Sequence, residues 1–330
     1  MSLNRRSLIA APVLASAFVA ASPVLLRGIS APAEAKVPPA GTQGPAFFRM
    51  KIGSMEVTAL HDGVLNRPLD ANFVRNAKLE DVQAVLAENM LPTNQVTTTF
   101  TPLVVNTGSK LVLIDTGLAD NGPATAGRTV SQLRATGIEP GQIDVVLLSH
   151  FHGDHLQGAR MKDGKLTYPN AEIMAPEPEW AFWMDDARMA AAPEAMRGAF
   201  AGVHRVLKPN AADVKRFQWG QEVVTGITAL EAAGHTPGHT AFAISSGGKT
   251  LTYVADITNS PFLFARNPEW RVIFDMDADK AITTRKRYLD MAVADKMQLS
   301  FFHANFPATG FVEKVGAGYR LIPAPWGTAL

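Results

Sequence analysis

Three observations on the chain predict an α/β fold. Short apolar runs recur from residue 47 onward, and several stop at a Gly, Asp or His, as strands do on leaving a core. Stretches of helical composition separate them, chiefly residues 176–204 and 279–297. A length of 330 residues with 47% hydrophobic content buries a large core, enough for one big α/β unit or two domains.

Taken in order, residues 47–60 alternate apolar and polar positions (Met50, Ile52, Met55, Val57), the pattern of half-buried strands. Residues 104–112 predict a hairpin turning at Gly108, and its second arm runs into Asp115-Thr116-Gly117. The apolar residues 145–149 predict a buried strand that ends at His150. Ala, Met, Glu and aromatic residues dominate 176–204, which predicts one or two helices. Residues 227–230 form a strand feeding the Gly/Pro turn Gly234-His235-Thr236-Pro237-Gly238-His239. Residues 251–255 end at Asp256, and residues 299–302 end at His303, in the same way. Residues 279–297 interleave Lys, Arg and Asp with apolar side chains, a helix with Asp279 as its N-cap. No repeat of solenoid period is present.

Residues 150–155 read His-Phe-His-Gly-Asp-His, which gathers four metal ligands, His150, His152, Asp154 and His155, at one strand end. Neutral imidazole mixed with carboxylate suits Zn, Mn, Fe or Co better than Ca or Mg. His150 and His152 are two apart and point to the same side of an extended loop, whereas Asp154 and His155 follow a Gly that frees the backbone to turn. That alternation predicts two metals, one for each pair. His235, Asp256 and His303 supply the remaining ligands, so five of the eight histidines join one constellation. A single His near a strand end is ordinarily a hydrogen-bonded structural group, the reading given to His61 and His204. His239 is read as a packed residue that fixes the loop carrying His235.

The ordered set His150, His152, Asp154, His155, His235, Asp256, His303 resembles the signature of the metallo-β-lactamase-fold superfamily. The resemblance implies a four-layered αβ/βα sandwich. It assigns His150, His152 and His235 to one metal, Asp154, His155 and His303 to the other, with Asp256 bridging. Asp115, in Asp115-Thr116-Gly117, matches an upstream element whose Asp buttresses the metal ligands. Two divalent ions are implied, zinc first, with Mn, Co or Fe as alternatives. Such a pair holds a hydroxide that attacks an ester carbon or phosphorus, so no Ser or Cys nucleophile is needed. Asp256 and Asp154 are the catalytic candidates, Asp154 as a carrier of the second-step proton.

Residues 106–117 and the tail Gly316-Ala317-Gly318-Tyr319-Arg320 resemble the methyl parathion hydrolase-like branch, which acts on organophosphate triesters. That likeness implies an aromatic substrate pocket at Trp183 and Phe200, and a homodimer. Asn121 stands where the branch has a pocket aromatic, which predicts a more polar pocket. Asn259 stands three residues after the bridging Asp, where lactonases of the superfamily carry a Tyr.

Asn4-Arg5-Arg6-Ser7-Leu8-Ile9 resembles a twin-arginine signal, followed by an apolar region to about Leu26 and the cleavage pattern Ala33-Glu34-Ala35. An ordinary secretory signal is the alternative. Residues 1–35 are expected to leave on export to the periplasm or exterior, residues 36–46 to form a flexible lead-in, and residues 47–330 the hydrolase domain. Pro12 and Pro23 interrupt a stretch already short for a span, so no membrane anchor is expected after processing. With no cysteine in the chain, metals must be held by His and Asp alone. A formal net charge of +1 gives no basic footprint, and no nucleic-acid partner is expected.

The leading expectation is a dinuclear hydrolase that opens lactones or cleaves related esters, with phosphotriesters as rival small-molecule substrates of the same site. An iron-dependent oxidoreductase and a metal-stabilised binding protein are the other classes weighed. The completeness of both ligand sets favours hydrolysis.

Overall fold

In the computed structural model, which describes Val37 and residues 40–328, alternation along buried strands produces separate apolar layers. The expected export signal at residues 1–35 lies outside the described residues. Residues 40–45 are exposed and carry no helix or strand.

The first half of the chain gives β1 (Phe47–Ile52), β2 (Met55–Leu60), β3 (Gly63–Pro68), β4 (Gln95–Phe100), β5 (Leu103–Asn106), β6 (Leu111–Ile114), β7 (Val145–Leu147), β8 (Glu172–Pro176) and β9 (Lys215–Phe217). The second half gives β10 (Glu222–Val224), β11 (Ile227–Glu231), β12 (Thr240–Ser246), β13 (Lys249–Ala255), β14 (Gln298–Phe301), β15 (Thr309–Val315) and β16 (Gly318–Pro323). Seven strands form one sheet in the order β1-β2-β5-β6-β7-β8-β9, and β10 to β16 form another in chain order. The strands β6 to β9 run parallel, as do β13 and β14. A separate ribbon pairs β3 with β4.

Side-chain alternation explains the layering. Val112 and Ile114 of β6 and Val145 and Leu147 of β7 face Phe242, Ile244, Leu251 and Tyr253 of the other sheet in a shared central core. Their neighbours Leu113 and Val146 point outward to Leu133, Trp183, Phe200, Val203 and Leu207 on the helices. Those helices are α2 (Thr129–Ala135), α4 (Glu177–Trp183) and α6 (Glu194–Leu207), with α5 (Asp186–Ala191) between the last two. On the far side Val254, Leu299 and Phe301 pack against Tyr288, Leu289 and Ala292 of α7 (Ala278–Ala294). Helix, sheet, sheet, helix is the four-layered order expected. Two remaining helices, α1 (Leu79–Glu88) and the single turn α3 (Gly153–Leu156), lie in the β3–β4 connection and in the ligand segment.

Some details differ from expectation. Residues 176–204 form three helices, because Asp185 caps α5 by accepting from Ala187 N and Arg188 N, and Pro193 opens α6. The N-cap of α7 is Asp277, whose extended backbone lets its carboxylate accept from Lys280 N; Asp279 lies inside the first turn. The β3–β4 ribbon was not anticipated, since Asn66, Arg67 and Pro68 break the apolar pattern. It covers a fourth small core of Phe73, Val82, Leu86, Val96, Phe264 and Val272.

Asp62 joins this scaffold to the loop that follows β6. Its buried carboxylate accepts from Thr129 N and Oγ1 (2.8 and 2.5 Å), Gly127 N (3.0 Å) and Leu118 N (3.3 Å). Removing an acceptor that serves four donors strands several of them away from water. Asp62→Ala is expected to lower unfolding free energy by about 3 kcal/mol, measured by urea denaturation; a loss under about 0.5 kcal/mol would show that the loop finds other partners.

Candidate metal centre

The seven candidate ligands sit at strand ends that converge on one edge of the sandwich. His150 and His152 follow β7, Asp154 and His155 lie on α3, His235 follows β11, Asp256 follows β13, and His303 lies just beyond β14. The strands carrying them run in register with their neighbours, so their C-terminal ends meet. Asp115 at φ 58° and Ala255 at φ 44° occupy the left-handed region, a strained conformation that re-aims the chain where β6 and β13 end.

Two ligand sets result. His150, His152, His235 and Asp256 bring one atom each within 4.8 Å of one another, and Asp154, His155 and His303 do the same. Asp256 addresses both: its Oδ2 lies 3.2 Å from His235 Nε2 and 4.0 Å from His150 Nε2, its Oδ1 3.2 Å from His155 Nε2. His303 Nε2 stands 2.9 Å from Asp256 Oδ2 and 3.4 Å from Asp154 Oδ2.

The rings are aimed by bonds on their far nitrogens. Nδ1 of His155 donates to Asp115 (2.7 Å), that of His235 to Asp275 (2.9 Å) and that of His303 to the Thr99 carbonyl (2.8 Å). Nδ1 of His150 is 3.0 Å from Ser149 Oγ. Each leaves Nε2 facing the centre, which selects the tautomer a metal requires. His152 presents Nδ1 instead, 2.8 Å from His235 Nε2.

The donor set fits divalent cations. His150 Nε2, His155 Nε2 and Asp256 Oδ1 are buried without a hydrogen-bond partner, an arrangement that costs about 1–3 kcal/mol per group unless a cation satisfies it. Burial, together with neighbouring imidazoles, holds His150 and His152 well below the usual histidine range, so both are neutral ligands. His155 and His235 behave oppositely. Burial opposes their charging, yet the surrounding carboxylates raise both, His235 to about 9. The cluster therefore demands positive charge at its centre, which protons or metal ions supply.

Several groups that hold the ligands were not identified from the sequence. Asp115, which was, accepts from His155, from Ser149 N (2.8 Å) and Oγ (2.7 Å), and from the Tyr253 hydroxyl (2.7 Å), which reaches it across the central core. Asp275 bridges His235 to Arg285 (3.1 Å), whose other nitrogens bind the carbonyls of Ile257, Pro268 and Trp270. Glu179 is the chief omission. Its Oε1 accepts from Phe151 N (3.0 Å) and Trp183 Nε1 (2.7 Å), its Oε2 from Thr236 Oγ1 (2.8 Å) and Gly238 N (2.7 Å). One fully buried carboxylate on α4 thus ties the His150–His155 segment to the His235 loop. The loop comes this close because residue 238 is Gly; a Cβ there would lie 2.1 Å from Glu179 N. Glu in helical composition gave no signal of such a role.

The cleft above the ligands has a volume of about 380 Å³. Leu65, Phe100, Leu118 and Phe274 form its apolar walls, with Arg67, Thr98, Asn121 and Asn259 as polar members. Trp183 and Phe200, expected in the substrate pocket, are absent from this lining. They are 1% and 2% exposed and pack under the first sheet, with the Trp183 indole engaged by Glu179. Asn121 does line the cleft, but its amide is consumed by the carbonyls of Leu118, Gln157 and Arg160 and by Arg205, so it adds little polarity. Asn259 lines it with Oδ1 unpaired. His239 accepts from Asp256 N (3.0 Å) and bonds the Ala232 carbonyl, outside both ligand sets. His204 bonds the Trp183 carbonyl, and His61 packs against Phe306.

Glu179→Gln places an amide N–H against backbone or indole N–H groups that cannot reverse. It should weaken binding at the His150/His152/His235 site by about tenfold with little change at the other site, read by chelator competition; equal loss at both would reduce Glu179 to a general packing role. Burial pushes the His239 imidazole down to about 4, with His235 adding to the effect. An unfolded chain takes up that proton near pH 6.5 and the fold does not, so stability is intact above 6.5 and is lost as pH falls towards 4. In metal-free protein His239→Gln should flatten that stretch of the stability–pH curve; parallel curves would show that His239 protonates within the fold.

A profile of the Metallo-beta-lactamase superfamily matches residues 101–301, well over half of the chain. An N-acyl homoserine lactonase from Bacillus sp is 26% identical over 216 residues, 61% of this chain and 76% of that protein. Among solved structures, AidC, a dizinc quorum-quenching lactonase in complex with a product, has a TM-score of 0.81 at 28% identity, covering 86% of this chain and 99% of that one. The hydrolase AbOPH of the beta lactamase superfamily has a TM-score of 0.80 at 27% identity, covering 87% and 100%. Together with the ligand order and the four-layered architecture, these likenesses establish that the chain belongs to the metallo-beta-lactamase superfamily.

Proposed function

We propose that the protein is a dizinc lactonase, a metal-dependent ester hydrolase whose substrates are small lactones of the acyl-homoserine type. The observation that carries this reading is Asp256, whose two oxygens address two His/Asp sets at the floor of an apolar-walled cleft. The likeness to a dizinc quorum-quenching lactonase over 86% of the chain supports it.

His150, His152 and His235 would hold one ion, Asp154, His155 and His303 the other, with Asp256 shared. When bound, two divalent ions lower the pKa of water and polarise a carbonyl oxygen. The protein's own part is positional. Asp115 and Asp275 aim the His155 and His235 rings, and Glu179 holds together the two loops that carry ligands, so a substrate meets a site that needs no rearrangement. Asp154 is the most open of the carboxylates among the ligands, 24% exposed, and reaches the cleft beside His303, where it can pass a proton to a departing alkoxide. Leu65, Phe100, Leu118 and Phe274 shield an acyl chain from water, and the unpaired Oδ1 of Asn259 is an acceptor for a substrate N–H. The export signal read at residues 1–35 extends the proposal to a periplasmic or secreted enzyme.

The test pairs metal analysis with a rate panel of acyl-homoserine lactones, aryl esters and aryl phosphotriesters. About two zinc equivalents per chain are expected, with kcat/KM for lactones above that for phosphotriesters by about tenfold or more. His152→Ala should abolish lactone hydrolysis. A preference for phosphotriesters would transfer the assignment to organophosphate hydrolysis, and a single iron equivalent with a coloured spectrum would overturn the hydrolase reading.

A further inference from the structure

We propose that Arg67 forms an anion-binding subsite in the cleft wall, selecting substrates that carry a carboxylate or phosphate group remote from the scissile bond. The inference rests on the ester-hydrolase reading and names the substrate class more closely.

Strand alternation puts Leu65 and Arg67 of β3 on one face of the ribbon with Thr98 and Phe100 of β4, and all four line the cleft. Among the lining residues outside the seven ligands, Arg67 is the sole charged one. Its guanidinium lies 4.9 Å over the Phe274 ring. Phe274 is itself packed edge-on against Phe73, whose ring lies 6.1 Å from Phe264. The cation therefore rests on an aromatic base built into the fourth core, which restricts where its planar fork points.

No carboxylate is within ion-pair distance of Arg67 among the described residues, and none of its guanidinium N–H groups has a protein acceptor there. Other arginines near the cleft are spent: Arg75 on the Ile273 carbonyl, Arg271 on Asp279, Arg205 on Asn121. With Phe274 as its aromatic neighbour, the guanidinium keeps N–H donors for a ligand, and such a fork pairs bidentately with a carboxylate or phosphate. The field in the cleft adds to this. Two dications exceed the charge of Asp154 and Asp256, so a loaded site and Arg67 together draw an acceptor-rich or anionic substrate. The reacting carbonyl would lie at the ligands, the anionic end at the ribbon and the apolar segment between them along Leu65 and Phe100.

The test uses the zinc-loaded enzyme and a matched pair of aryl esters, 4-nitrophenyl butyrate and mono-4-nitrophenyl succinate, which differ in a terminal methyl or carboxylate. The wild type should favour the succinate by about five- to tenfold in kcat/KM, carried by KM and reduced by added salt. Arg67→Leu should bring the ratio near one, and Arg67→Lys should restore part of it. An unchanged ratio in Arg67→Leu, or no preference in the wild type, would overturn the subsite. Should neither ester be hydrolysed, calorimetry decides without turnover: glutarate should bind the wild type more tightly than butyrate, an advantage lost in Arg67→Leu. Failure of hydrolysis with that advantage intact would sink the esterase reading alone; equal binding of the two acids would sink the subsite.

Discussion

A buried carboxylate, Asp256, stands between two sets of imidazoles, and much of the polar structure around it exists to hold those rings. Placing Asp154 and Asp256 beside five histidines at a nearly dry sheet edge is unfavourable unless positive charge occupies the centre. The protein meets that constraint with directed hydrogen bonds rather than with bulk. Asp115, Asp275 and the Thr99 carbonyl each take one ring nitrogen, so the opposite nitrogen is delivered inward. Asp115 and Asp275 are fixed in turn by Tyr253 and Arg285, which belong to the second half of the chain.

This dependence explains why the two sheets behave as one scaffold. Tyr253 crosses the central core to Asp115, Glu179 ties the loop after β7 to the loop after β11, and Arg285 ties α7 to the wall carrying Asn259. Each link couples an apolar packing choice to the position of a ligand. A change in sheet register would move a ligand and strand a buried polar group together, so fold and site are enforced by the same contacts.

The cleft wall is built elsewhere. The β3–β4 ribbon is paired with neither large sheet and contributes Leu65, Arg67, Thr98 and Phe100 to the cleft. Its support is the small core around Phe73, Val82 and Phe264, which shares no residue with the metal edge. Leu65 and Arg67 on β3 touch no ligand and can change without disturbing the centre, whereas β4 is tied to it through the Thr99 carbonyl and the Phe100 ring, both on His303.

The ligand order, the strands that end at each ligand and the layered α/β class were legible in the sequence, because a short-range pattern encodes each of them. His150, His152, Asp154 and His155 lie within six residues, and the alternation in β6 and β7 is complete within three or four. Tertiary structure alone decided the rest. Glu179 reads as a helical glutamate until the fold sets it against residues 151, 236 and 238. Trp183 and Phe200 read as pocket aromatics until α4 and α6 turn them beneath the first sheet. The ribbon bearing Arg67 lacked a periodic signal because most of β3 is exposed on both faces, so no buried side imposes alternation. A chain reports what local spacing and burial require; which distant groups share a hydrogen bond depends on register and packing across the core, and no local pattern records those.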